Sequence, residues 1–279
     1  MKHSVFVLTI FFWTIRGMSA YAQPAGFQTL MDEAKGYFQQ KEYEKSNECY
    51  EKVVDILRGT DGEHLIPTVR NGMAINYLYM GVAALKEKNY PDAKEYLENA
   101  IRDAKPESKT CYMAHSWMGQ WYSVQALNIR STRGDMQQAV KLSMEAEKFF
   151  DLAKAPDKRL KEQLARASAL RDLARNDEAE TLLKQIITEC TSVSERNVIR
   201  GKACFNLGVI ELETERFQPS LQHLEQSYDL CNGGTTKDAK SYAYLAANRL
   251  YQLYSNQIPD SEKALLWKQR SEELSTVIE

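Results

Sequence analysis

The segment Tyr77-Leu78-Tyr79-Met80-Gly81-Val82-Ala83-Ala84 is followed nine residues on by Ala93-Lys94-Glu95-Tyr96-Leu97-Glu98-Asn99-Ala100. Small and apolar residues recur here at three- and four-residue intervals, the period of a helix face. Pro91 stands between the two runs, where the first backbone N–H groups of a helix have no intrahelical partner and proline costs nothing. The segment therefore reads as two helices joined by a short turn. Gly81 on the first helix and Ala93 on the second, 12 residues apart, are the small residues that let the two backbones approach. The pattern returns as Cys204-x2-Leu207-Gly208-x2-Glu211 with Ser220-x3-Leu224-x2-Ser227.

Working outward, the same interval of 12 separates Ala34 from Ser46, Ala167 from Ala179, and Gly208 from Ser220. Gly119 and Ala139 are 20 apart, an insertion of eight, and Tyr251 and Ala264 are 13 apart, an insertion of one. The expected helix pairs span 26–40 with 43–58, 67–88 with 90–104, 106–132 with 135–153, 157–175 with 177–191, 195–215 with 217–231, and 236–256 with 259–278. Pro67, Pro91, Pro106, Pro156, Pro219 and Pro259 are expected at or just after helix starts. No strand pattern is present.

These motifs resemble the tetratricopeptide repeat. The resemblance implies an all-α solenoid of about six helix-turn-helix repeats, a right-handed superhelix whose first helices line a concave groove. The spacing between units, 38 to 48 residues, exceeds the usual repeat of about 34. Longer repeats of this kind resemble those of bacterial regulators that bind peptides or partner domains.

Mapped onto that pattern, the groove-side candidates are Tyr79, Met113, Trp117, Gln120, Arg171, Phe205, Asn206 and Arg249. Tyr79 and Trp117 hold equivalent places in repeats two and three. Aromatic and arginine side chains are what interfaces concentrate. Relatives that bind chaperone tails hold a terminal carboxylate with lysines and asparagines at set places. Here those places in repeats one to three carry Met31, Lys35, Tyr79, Met113 and Trp117, so that clamp is absent. The hairpin expanded around Asn128–Arg133 carries two arginines and is expected to project beyond the rim, as a longer, solvated hairpin or, alternatively, as a local contact site for an acidic partner.

The 279 residues are 43% hydrophobic and 27% charged, an ordinary soluble composition. Lys2 and His3 precede an apolar run from Val5 to Ile15, and Ala20-Tyr21-Ala22 follows. This reads as a secretory signal peptide over 1–22 with cleavage before Gln23. The run is too short for a span, which needs about 20 residues. No cysteine lies near the cut, so a lipid anchor is not signalled. The glutamine after A-x-A resembles exported proteins of the Bacteroidetes. The mature chain, 23–279, is then the repeat array, periplasmic or extracellular. Removing the leader takes two cations and no anion, moving the formal net charge from −2 to −4. That balance gives no electrostatic footprint for nucleic acid or an anionic membrane.

Five cysteines, at 49, 111, 190, 204 and 231, form neither a disulfide framework nor a C-x-x-C zinc pattern. Cys190 and Cys204 fall about 12 Å apart on successive helices at 1.5 Å per residue, too far to bridge. No two of the four histidines stand at metal-ligand spacing, and Gly233-Gly234-Thr235-Thr236-Lys237 lacks the phosphate-loop spacing. No catalytic residue, metal site or cofactor is assigned. The sequence points to an exported, non-enzymatic scaffold that binds a peptide or protein segment in its groove. The alternative is a sensory or regulatory input array acting with a separate output protein.

Overall fold

The computed structural model describes residues 26–278, and the expected signal peptide with its cleavage point lies outside the described residues. Twelve α-helices follow one another among the described residues: α1 (Phe27–Gln39), α2 (Tyr43–Leu57), α3 (Ile66–Lys86), α4 (Tyr90–Asp103), α5 (Lys109–Ser131), α6 (Met136–Leu152), α7 (Pro156–Asp172), α8 (Asn176–Cys190), α9 (Asn197–Glu213), α10 (Phe217–Asn232), α11 (Lys237–Gln252) and α12 (Ser261–Ile278). Each odd-numbered helix packs on the next to form a hairpin, six in all. This is the all-α solenoid of helical repeats that the spacing predicts, with helix bounds within four residues of those expected.

The chain forms two compact units that divide between Cys111 and Tyr112. The core of the first gathers Phe27, Met31, Tyr50, Val53, Leu57 and Val69. The second holds one cluster around Leu160, Leu183, Ile186 and Leu207 and another around Leu224, Leu250, Tyr254 and Trp267. Leu265 and Leu266, flanking buried Trp267 on α12, are exposed.

The small residues sit where the spacing put them. A Cβ on Gly81 would come within 2.8 Å of Leu97, and one on Gly208 within 2.9 Å of Leu224. Gly119, on the expanded hairpin, faces Phe150 at 2.7 Å in the same way. Contacts this short exclude any side chain, so the glycines set how closely the paired helices approach.

The first helices of five hairpins end alike. Lys41, Lys88, Arg133, Ala174 and Glu215 all adopt φ between 52° and 64°, the left-handed region. The residue after each donates its N–H five positions back: Glu42 to Tyr37 and Asn89 to Ala84 at 2.9 Å, Gly134 to Ile129 and Arg175 to Leu170 at 2.9 Å, Arg216 to Glu211 at 2.7 Å. This is the Schellman closure, here made without glycine. Hairpin six differs. Leu253–Gln257 forms a π turn, and Ile258 N–H donates to Leu253 O at 2.9 Å. A π turn accommodates one extra residue in a helix, which is the insertion that the spacing of 13 implied.

Two prolines correct the expected boundaries. Pro106 lies in the turn before α5, because Glu107 has φ 57° and the helix begins only at Lys109, with Ser108 Oγ accepting from Cys111 N–H at 3.1 Å. Pro259 likewise precedes α12, where Asp260 accepts from Lys263 N–H at 3.0 Å.

Candidate functional site

In the first unit, Tyr79 on α3 is half-buried. Its ring stacks on Tyr43 at 5.6 Å and 13° and meets Phe38 edge-on at 5.5 Å. Burial, followed by the neighbouring Tyr79, raises the Tyr43 phenol above its usual range. Tyr79 thus spends part of its surface on the α1–α2 corner.

In the second unit, α5 carries Met113, Trp117 and Gln120. Offsets of four and three residues place them along one helix face. Met113 is 40% exposed, and Trp117 and Gln120 are half-buried. The Lys158 ammonium, from the first turn of α7, lies 5.9 Å from the Trp117 ring centre and 5.8 Å from that of Phe150, and donates to Ser116 Oγ at 2.8 Å. Desolvation, then the like charge of Lys161, lowers the Lys158 pKa. Sequence reasoning missed Lys158 and Lys161. Their signal was a lysine pair three residues apart just after Pro156, a spacing that alone looks like an ordinary solvated helix start.

The remaining predicted residues are not gathered into one cluster with these. Arg171 is half-buried and lies 3.7 Å from Asp172. The Asn206 amide donates to Lys202 O at 2.9 Å within its own helix. Arg249 is exposed and donates to Gln252 Oε1 at 3.0 Å. Phe205 is a correction: it is 9% exposed and packs edge-on against Tyr242 at 5.5 Å. The following first helix, α11, covers it, so it belongs to the core and not to a partner-facing surface.

Ionic layers tie the hairpins of this unit together. The enclosed Glu162 carboxylate of α7 accepts from Ser143 Oγ of α6 at 2.6 Å and from Ser123 Oγ of α5. Arg166 of α7 forks onto Glu147 of α6 at 2.6 and 3.0 Å. Burial raises the Glu147 pKa, with Arg166 acting in the opposite direction. The buried Glu211 carboxylate lies 2.7 Å from His223 Nδ1. These groups are enclosed between helices and hold the stack together.

All five cysteines are without disulfides, and all but Cys111 are buried. Burial pushes the Cys204 thiol up to about 12 and Cys231 up to about 11, the range of unreactive packing groups. Among the described residues, no group of three or more His, Cys, Asp or Glu is placed to hold a metal ion, and no helix is long and apolar enough to cross a membrane.

Neither a protein-family profile nor a curated protein matches this chain. Among solved structures, BtubC (BKLC) from P. vanneervenii is similar over 91% of this chain and 92% of that one, with a TM-score of 0.55 at 12% identity. The Rap conjugation gene regulator of the plasmid pLS20, solved with the Phr* peptide, aligns over 90% of this chain and 74% of its own, with a TM-score of 0.48 at 14% identity. YrrB, a TPR protein with an unusual peptide-binding site, aligns over 79% of this chain and 91% of its own, with a TM-score of 0.34 at 15% identity. The likeness to BtubC shows a common fold and nothing of ligand. The fold is an all-α array of helical repeats.

Proposed function

We propose that the chain is a non-enzymatic scaffold, exported after loss of residues 1–22, that binds a peptide or protein segment along its first helices. One observation carries this reading. The α5 face presents Met113 and Trp117, large apolar side chains that the helix stack leaves partly uncovered, beside the polar Gln120. An aromatic anchor flanked by adaptable side chains supplies contact area at low entropic cost. The half-buried Arg171 and the exposed Arg249 supply polar contacts elsewhere on first helices.

Site-specific photo-crosslinking in the native host tests this. A crosslinker at Met113 is expected to capture a partner that the same group at Leu152, exposed at the end of the second helix α6, does not. Capture from Leu152 alone would move the binding face to the second helices. Mass spectrometry of the captured chain reads its first residue as well, and a start at Met1 would refute export.

A further inference from the structure

The α6–α7 corner is rich in basic side chains. Lys158 and Lys161 sit one turn apart at the start of α7, and neither forms an ion pair among the described residues. Every carboxylate of α6 and of the first two turns of α7 is already engaged. Asp157 pairs with Arg196 at 2.8 Å, and Asp151 with Arg159 at 3.0 Å. Glu145 pairs with Lys148 at 2.6 Å. Glu147 is held by Arg166, and Glu162 points inward onto two serine hydroxyls. Asp172, the next acid along α7, lies about 16 Å from Lys161 at 1.5 Å per residue.

The Lys158 ammonium is fixed as well as uncompensated. Ser116 Oγ accepts one of its protons, and the Trp117 and Phe150 rings lie beneath it. A cation held over aromatic faces, with a like charge next to it, gains most from an incoming anion. The lowered Lys158 pKa, from desolvation and then the like charge of Lys161, agrees with this.

Building on the scaffold reading, we propose that this corner receives an acidic segment of a partner protein. Lys158 and Lys161 take carboxylate side chains, and Trp117 with Met113 takes an apolar side chain beside them. A two-lysine locus on a chain of net charge −2 fits a short acidic protein segment better than a polyphosphate backbone, which calls for an extended basic stripe.

The test uses an amidated decapeptide of alternating glutamate and leucine, labelled for fluorescence anisotropy, and the full chain. The peptide is expected to bind, and K158Q/K161Q is expected to weaken it by about tenfold. K52Q/K141Q, which removes the same charge from two exposed lysines elsewhere, is expected to leave affinity unchanged. Circular dichroism confirms that both variants keep their helicity, and K161E alone, at an exposed position, should weaken binding further than K161Q. Equal losses in the two double variants would reduce the effect to overall charge and overturn the proposal. So would absence of peptide binding, or a single-stranded oligonucleotide binding where the peptide does not. Crosslinking at Met113 separates the two readings: capture of a partner with unchanged yield in K158Q/K161Q leaves the scaffold standing and removes the acidic segment, whereas loss of capture from Met113 in the unaltered chain removes both.

Discussion

Ser220 Oγ donates to the backbone carbonyl of Gly208 at 2.7 Å, across the two helices of hairpin five, and Ser46 Oγ makes the same bond to Ala34 at 2.8 Å in hairpin one. Both pairs are 12 residues apart and fully buried. The two serines nevertheless differ in what depends on them. Ser46 also accepts from the buried Asn76 amide at 2.9 Å, which in turn donates to Asn47 Oδ1 at 2.7 Å. Ser220→Ala therefore loses one ordinary hydrogen bond and is expected to cost about 1 kcal/mol. Ser46→Ala also strands a buried N–H and is expected to cost about 2–3 kcal/mol. Chemical denaturation of the two variants checks the order.

The glycines at the helix contacts of hairpins two and five have no room for growth. Gly208→Leu and Gly81→Leu drive a side chain into Leu224 and Leu97, and at least about 1–3 kcal/mol of destabilisation is expected from each. Thermal melts followed by circular dichroism report it, and unchanged melting would remove the close helix contact.

The left-handed corners invite the opposite substitution. Ala174, exposed with φ 56°, carries a steric cost that glycine escapes. Ala174→Gly is expected to stabilise the chain by up to about 1 kcal/mol. Ala165→Gly, in the body of α7, is expected to destabilise it by about as much. Opposite signs for one chemical change isolate backbone conformation as the cause.

Phe205 and Trp117 separate core from surface. Phe205→Ala leaves a cavity against Tyr242 and is expected to cost about 3–5 kcal/mol. Trp117→Ala, at a half-buried position, is expected to cost less stability while weakening partner binding. Melting and affinity measured on the same preparations distinguish them.

Glu147 predicts a pH dependence. Its folded pKa is raised above the ordinary 4.5, so between that value and its raised one the folded state holds more proton than the unfolded state. Stability from this group is then present below the ordinary carboxylate range and falls as pH rises through the raised pKa. Glu147→Gln, which cannot titrate, is expected to flatten that part of the stability profile between mildly acidic and neutral pH. An unchanged slope would mean that Arg166 fully offsets the burial.

The hairpins were legible because their signal is local. Gly81 and Leu97, or Gly208 and Leu224, lie 16 residues apart and touch within one repeat. Even the extra residue in hairpin six could be read from the interval between Tyr251 and Ala264. The candidate site was less legible because exposure depends on the neighbouring repeat. Phe205 occupies a first-helix position that looks outward-facing until Tyr242, 37 residues on, closes over it. Lys158 looks like any lysine until Asp157 is seen turned away to Arg196, 39 residues on.

The π turn at Leu253–Gln257 has a consequence for how this array tolerates change in length. It is a reservoir of one residue, taken up by a local widening of the helix and released by the same route. Deleting the exposed Asn256 would return hairpin six to the interval of its four regular siblings and let the helix close as an ordinary one. The same deletion in the middle of α9 would rotate everything after it by about 100° and turn its buried stripe outward. Hairpin six is thus the place where a single-codon loss is absorbed, while α9 must keep its reading intact.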